Sequence, residues 1–149
     1  MLYKKRRFFV KKRLNSTKSF VVGFLFNPSL THVVLIEKNK PLWQKGRLNG
    51  LGGLVNDGES ISNAISREVF EESGVMLPPQ LWSQFHKTTN KDDKIVHYFF
   101  AVSSLANKAK SNEKEKVSLV SINQLPSNCL HDIKKLIMLA MGRMDCTSI

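Results

Sequence analysis

Gly53-Leu54-Val55-Asn56-Asp57-Gly58-Glu59-Ser60-Ile61-Ser62-Asn63-Ala64-Ile65-Ser66-Arg67-Glu68-Val69-Phe70-Glu71-Glu72-Ser73-Gly74-Val75 is the stretch that decides the fold. Ser60 is a good N-cap, and Gly74 with Pro78-Pro79 beyond it ends what Ser60 begins, so a helix is predicted from Ser60 to about Ser73. On a wheel at about 100° per residue, Ile61, Ile65 and Val69 form one apolar stripe. Glu68 and Glu72 stand one above the other at the edge of that stripe, and Glu71 lies beside them. A merely solvated face would carry its acids opposite the stripe. These acids instead meet the body of the protein.

Such an arrangement costs stability three times over. Like charges at i, i+4 oppose the helix by roughly 0.2–0.5 kcal/mol even in water. Two carboxylates about 4 Å apart repel by about 4 kcal/mol at an effective dielectric near 20. The helix dipole also disfavours anions in the last turns. A compensating cation is implied. Hard carboxylate oxygens suit Mg²⁺ or Mn²⁺, and the lack of nearby His or Cys argues against zinc.

Upstream, Asn49-Gly50-Leu51-Gly52-Gly53 has three glycines in its last four positions and, taken alone, reads as a tight turn. Phe20-Val21-Val22-Gly23-Phe24-Leu25-Phe26 is a strand-length apolar run ended by Asn27-Pro28-Ser29, and His32–Ile36 is a second, β-branched strand. The two read as a hairpin. Residues 37–48 turn basic around Trp43, as a loop or irregular edge. Downstream, strands are predicted at 81–89 and 94–102 with a turn at Asn90–Asp93. A further strand follows at 117–122, and an amphipathic helix at 128–142. Strands on both sides of a central helix, with a second helix at the end, predict an α/β sandwich.

The chain has 149 residues, 42% apolar and 23% charged, which is one ordinary domain with enough apolar mass for a core. No apolar run approaches the roughly 20 residues that span a bilayer, and no signal-peptide pattern is present. Cys129 and Cys146 are too few for a disulfide framework and lack metal-site spacing. A soluble cytoplasmic protein with no membrane partner is expected. The net charge is +11, from 23 Lys+Arg against 12 Asp+Glu. Seven basic residues and no acid stand within residues 1–13, and Glu37 is the first acid of the chain. That field attracts polyanions, so phosphates or RNA are the expected partners. The alternative is a solvated tail that aids solubility. An acid-free, Arg-rich start is also a feature of transit peptides, but Phe8-Phe9-Val10 interrupt it as a short strand would.

Gly53, five residues, Glu59, seven residues, then Arg67-Glu68-Val69-Phe70-Glu71-Glu72-Ser73-Gly74-Val75 matches the Nudix box at every defined position. Seven of these positions demand one residue type, and chance agreement at a given start is on the order of 10⁻⁹ at average usage. The chain therefore resembles the Nudix hydrolase family. The resemblance implies an α/β/α sandwich with a mixed β-sheet over residues 19–149, following a basic segment at 1–18. It also implies hydrolysis of a nucleoside diphosphate linked to another group, with Mg²⁺ or Mn²⁺ as cofactor. Carried over, Glu68, Glu71, Glu72 and the Gly53 carbonyl would hold the metal, Arg67 and Glu59 would pair, and Glu68 would be the base. Glu113, with Glu115 as its rival, would complete the site from a downstream loop.

Trp43 through Gly53 looks like the MutT-type branch, which includes nucleoside triphosphate hydrolases. Asn49 matches the Asn that reads a purine edge there, although Asn is also a common turn residue. One departure is Leu54, where that branch usually has Lys. Lys38, Lys40 and Arg47 are candidates to replace the missing cation, and Trp43 or Tyr98 to stack on a base. His32, His86, His97 and His131 show no ligand or triad spacing and read as structural. The expected activity is a nucleoside triphosphate pyrophosphohydrolase, acting as monomer or homodimer. The alternatives are a hydrolase of RNA 5′ ends, dinucleotides or nucleotide sugars, and a non-catalytic nucleotide or RNA sensor.

Overall fold

The computed structural model describes residues 17–147. The basic run 4–13, the strand read at Phe8-Phe9-Val10 and the side chain of Cys146 lie outside the described residues. Seven strands form one mixed sheet: β1 (Ser19–Phe26), β2 (His32–Glu37), β3 (Leu48–Asn49), β4 (Leu51–Leu54), β5 (Ser83–Thr89), β6 (Ile95–Val102) and β7 (Val117–Ser121). Helix α1 (Ile61–Ser73) follows β4, and α2 (Ile133–Thr147) closes the chain. No described helix is long and apolar enough to cross a membrane.

β1 is the hub. It lies parallel to β6 along its whole length, from Ser19↔Ile95 to Phe26↔Val102. Its other edge is shared: Phe20–Gly23 pair antiparallel with β4, and Leu25–Phe26 with β2. A strand flanked on both edges and covered on both faces must be apolar throughout, as the run Phe20–Phe26 is. Alternation then divides the side chains. Val21, Leu25, Val34 and Ile36 pack beneath Ala64, Ile65 and Val69 of α1. Phe24, Phe26, Val33 and Leu35 pack against Ile133, Leu136, Ile137 and Ala140 of α2. The result is an α/β/α sandwich, and complete burial of Ile65 alone contributes roughly 1.5–3 kcal/mol.

Helix α1 begins and ends as its sequence dictates. The Ser60 hydroxyl accepts from the Asn63 N–H at 3.1 Å, and Gly74 caps the far end at φ 73°. Two elements differ from the sequence reading. The glycine run taken for a turn is strand β4, because its backbone groups are claimed by β1. The last helix starts at Ile133 and not at 128, because Leu48 takes up the segment before it. The Leu48 N–H donates to Asn128 O at 3.0 Å, and Leu130 N–H donates to Leu48 O at 3.0 Å. β1 and β2 also pair over only two positions, so the hairpin is a minor part of the contacts of β1.

Candidate active site

The acidic end of α1 crosses directly over β4, and glycine makes the crossing possible. A Cβ on Gly53 would fall 2.6 Å from Glu68 Oε1, and one on Gly52 would fall 1.9 Å from the Val21 carbonyl oxygen. Strand β4 is therefore thin where the helix carboxylates reach it. The Gly52 N–H donates to Glu72 Oε1 at 2.7 Å. Glu72 is buried, at 4% exposure, and sits on the edge of the apolar stripe that also carries Ile65 and Val69.

Arg67 gathers the remaining acids. Its Nε and Nη2 grip both Glu59 oxygens at 2.8 and 2.9 Å. Nη1 reaches Glu68 Oε1 at 2.9 Å and Glu71 Oε2 at 3.2 Å, and Nη2 also donates to the Leu54 carbonyl at 3.0 Å. One planar fork thus ties the loop before α1, the end of β4 and two helix glutamates together. Glu59 also accepts from the Asn56 N–H at 3.1 Å, which tightens the turn leading into α1.

The electrostatics follow from this packing. The Arg67 hydrogen bonds hold the Glu59 carboxyl below its usual range, and Arg67 is itself held more firmly protonated, chiefly by Glu59. Burial raises the Glu68 carboxyl in spite of Arg67, with Glu71 and Glu113 adding to the rise. Burial pushes Glu72 up to about 8, against the opposing pull of the Gly52 N–H and Lys38. Glu68 and Glu115 add to the rise, so the pull of Lys38 does not offset burial and like charge at Glu72.

These residues fit a hard divalent ion. Glu68 and Glu71 converge on a single guanidinium nitrogen, and the Glu68 carboxylate lies against Gly53, so hard oxygen donors are gathered beside the glycine strand. Among the described residues no three His, Cys, Asp or Glu side chains form a finished metal cage. Mg²⁺ does not need one: it keeps several waters and is typically shared between one or two carboxylates and substrate phosphates.

Gly52 and Gly53 line a cleft of about 580 Å³; Glu68, Glu71 and Glu72 are not among its lining residues, and Glu68 and Glu72 meet it only through these glycines. Lys38, Lys40, Trp43, Asn49 and Tyr98 line it, together with Phe20 and Val22 of β1. Trp43 is 67% exposed on a short 3-10 turn, free to meet a planar ligand. The Asn49 side-chain Oδ1 accepts from the Gly50 N–H at 2.7 Å, and its Nδ2 donates to Gln44 Oε1 at 3.4 Å. Arg47 is exposed and is not among the residues that line the cleft. The Leu54 side chain is also exposed, while Lys38 is brought to the cleft beside Gly52 and Gly53. Of the two loop acids, Glu115 is engaged by Lys38 Nζ at 3.1 Å and by the Asn39 N–H, whereas Glu113 is felt by Glu68.

Sequence reasoning missed several lining residues: His131 and Asp132 before α2, and Asn90, Asp92 and Lys94 at the β5–β6 turn. Isolated polar residues have no periodic signal, and only the sheet order brings them to one cleft.

The seven-stranded sheet between two helices, with an arginine-gathered acidic helix end set on a glycine strand, defines a hydrolase scaffold of Nudix type. The NUDIX domain family matches residues 17–140, and the chain belongs to it. Nudix hydrolases act on nucleoside diphosphate derivatives and generally use divalent metals such as Mg²⁺. Among solved structures, the NUDIX domain of Shewanella oneidensis NrtR, in complex with ADP ribose, superimposes with a TM-score of 0.72 at 19% identity, covering 89% of this chain and 92% of that one. A MutT/nudix family protein from Enterococcus faecalis gives 0.69 at 16% identity over 98% and 70%. A MutT NUDIX hydrolase from Burkholderia pseudomallei gives 0.69 at 15% identity over 84% and 98%. A comparison with curated protein sequences gives no match.

Proposed function

We propose that this Nudix hydrolase is a Mg²⁺-dependent, MutT-like pyrophosphohydrolase that cleaves a nucleoside triphosphate to the monophosphate and pyrophosphate. One observation carries the reading: Glu68, Glu71 and Glu72 gather on Arg67 and the glycine strand, and that strand's Gly52 and Gly53 line a cleft with Lys38, Lys40, Trp43 and Asn49. Glu68, Glu71, Glu72 and the Gly53 carbonyl would hold the metal, with Glu113 joining from its loop. When bound, the ion neutralises the bridging phosphates and makes a coordinated water more nucleophilic.

The chain's own groups do the rest. Lys38 and Lys40 draw the phosphates toward the acidic end, Trp43 or Tyr98 stacks on the base, and Asn49 offers its amide nitrogen to a purine acceptor. Arg67, locked to Glu59, keeps Glu68 in register with Gly53. Glu68 takes the proton of the attacking water; the water oxygen bonds to one phosphorus of the α–β bridge as the bond from that phosphorus to the bridging oxygen breaks, and the bridging oxygen leaves on the other phosphorus. Burial raises the affinity of Glu68 for that proton, as a general base near neutral pH requires. In this reading residues 19–149 are the catalytic domain, residues 1–18 a basic arm, and the enzyme works in the cytoplasm as a monomer or homodimer.

A panel of nucleoside triphosphates, dinucleotides, nucleotide sugars and triphosphorylated RNA, with and without Mg²⁺, tests the proposal. Pyrophosphate release from a triphosphate, dependent on Mg²⁺ and lost in Glu68→Gln, is expected. Equal turnover in Glu68→Gln and wild type would remove the assignment.

RNA 5′ ends are a second substrate class supported by a separate observation. The Ile95 N–H donates to the Lys18 carbonyl at 2.9 Å and the Val55 N–H to Ser19 at 2.9 Å, so the basic arm joins the domain next to Phe20, a cleft residue. Deleting residues 1–13 should then raise the Michaelis constant for triphosphorylated RNA at low salt and leave that for a free triphosphate unchanged. Presence of every box acid argues against a non-catalytic sensor.

A further inference from the structure

The antiparallel ladder of β2 and β7 reaches Ile36↔Val117, and one further rung follows, from the Glu37 N–H to the Lys116 carbonyl at 2.8 Å. Beyond it the two chains separate. The Lys38 N–H turns to the Arg47 carbonyl at 2.9 Å, and the Lys38 carbonyl accepts from the Gly46 N–H at 2.8 Å. Residues 38–47 are thereby closed into a loop at their own base. A side chain takes the place of the next rung. One Glu115 oxygen accepts from the Asn39 N–H, and the other accepts from Lys38 Nζ at 3.1 Å.

The loop is one wall of the cleft, through Lys38, Lys40, Pro41, Trp43 and Gln44. A lysine ammonium on a free four-carbon stem samples many rotamers, and ordering it costs entropy. Lys38, Lys40 and Lys94 all line the cleft, and among the described residues only Lys38 of these is in an ion pair. Its side chain is 18% exposed and that of Glu115 19%, so solvent screens this pair less than an ordinary surface pair. An ammonium has three donors. Glu115 takes one, and two remain.

We propose that Glu115 is a positioning residue: it holds the Lys38 ammonium and the base of its loop so that the remaining donors meet a phosphate in the cleft. The inference rests on the phosphate-drawing role of Lys38 in the function proposed above, and it requires no bound metal. Two effects of Glu115 on an incoming anion have opposite signs. Its negative charge repels the phosphate. Its grip supplies order that the phosphate would otherwise have to impose on Lys38. Because the grip has two points, one on the side chain and one on the backbone, order is the larger effect.

The test is calorimetric titration of the full chain with inorganic tripolyphosphate in a chelator, so that neither a base nor a metal ion contributes. Physiological ionic strength keeps the contribution of the basic segment 1–13 small. Glu115→Gln preserves the shape but turns one accepting oxygen into an amide nitrogen that cannot accept. Binding should weaken about 10-fold, the scale of one charge-assisted hydrogen bond. Unchanged binding would overturn the inference, and so would tighter binding, which would show that Glu115 only offsets charge. Lys38→Met should weaken binding at least as much, and adding Glu115→Gln to it should cost nothing further, a dependence that general loosening of the loop would not show. Additive losses would overturn the inference. If Glu115→Gln does not fold, Glu115→Asp, one methylene too short to span both donors, should weaken binding likewise, and wild-type affinity there would overturn the inference. Loss in Lys38→Met with none in Glu115→Gln overturns the positioning role alone. Absence of binding to the wild type, or wild-type affinity in Lys38→Met, removes the phosphate role of Lys38 and the positioning role together. The hydrolysis reading stands or falls separately, on pyrophosphate release from the nucleotide panel.

Discussion

Gly53→Ala and Gly52→Ala are neighbouring substitutions for which the structure forecasts opposite failures. At position 53 the new Cβ would fall 2.6 Å from Glu68 Oε1, where ordinary contact begins at 3.4 Å, so the carboxylate must retreat by about 0.8 Å. It can, because it is the end of a flexible side chain, but it then leaves its 2.9 Å bond to Arg67. A misplacement near 1 Å in a reacting group costs about 100-fold in rate. The expected outcome is a kcat lowered about 100-fold, while a stability loss of about 1 kcal/mol moves the melting temperature by only ~3 °C. At position 52 the Cβ would fall 1.9 Å from the Val21 carbonyl oxygen, which is backbone and cannot rotate away. Relief there requires β4 to part from β1, at a cost of about 3 kcal/mol or more, so the protein should melt roughly 10 °C lower or fail to fold. Calorimetric melting and steady-state turnover on the purified pair decide the matter. A folded Gly53→Ala protein with kcat within about twofold of wild type would refute the reasoning, because Glu68 would then tolerate displacement at no chemical cost.

Further outcomes follow from the same geometry. Burial raises Glu72 to about 8 against 4.5 for a free carboxyl, so the unfolded chain releases that proton first and stability is full below pH 4.5 and lost as pH rises toward 8. The loss is on the order of 4–5 kcal/mol at most; Glu68 shifts in the same direction, and Glu59, held low by Arg67, acts only at more acidic pH. Melting in a chelator across pH 5–8 should therefore show a falling curve that Glu72→Gln flattens and Mg²⁺ opposes most at pH 8; a level wild-type curve would contradict the burial of an uncompensated acid. Arg67→Lys cannot reproduce the forked grip on Glu59 together with the bonds to Glu68 and Leu54, so urea unfolding should show a loss of about 2–3 kcal/mol and turnover should drop at least tenfold. Trp43→Ala, at a 67% exposed position, should leave stability within about 0.5 kcal/mol of wild type and raise the Michaelis constant about tenfold with kcat intact.

Local chemistry made α1 legible down to its caps: Ser60, Gly74 and the stripe of Ile61, Ile65 and Val69 are all contained in the residues themselves. The buried strands were legible for the same reason, since a run such as Phe20–Phe26 suits little else. Strand partners were not, because period two says which face a side chain takes and nothing about which neighbour it has. The parallel match of β1 with β6 and the conversion of the glycine run into β4 are both decided by distant backbone groups. The start of α2 was hidden likewise, by Leu48 claiming Asn128 and Leu130. Within the candidate site, the Nudix box singled out acids that the fold gathers on Arg67 and the glycine strand, and the spacing of charges on α1 marked them as costly to place there. His131 and Asp132 lie outside any periodic or motif signal, and only tertiary proximity gives them meaning.

The parallel alignment of β1 with β6 also constrains how the molecule is made. β1 is synthesised before β6, and the edge that β6 covers stays bare until residue 102 has left the ribosome, more than seventy residues after β1 is complete. During that interval a greasy, aromatic ribbon is available to any strand that passes, including another copy of itself. Fragments ending before Ile95 should therefore associate with one another, and expression at lower temperature or with slower translation should favour soluble product.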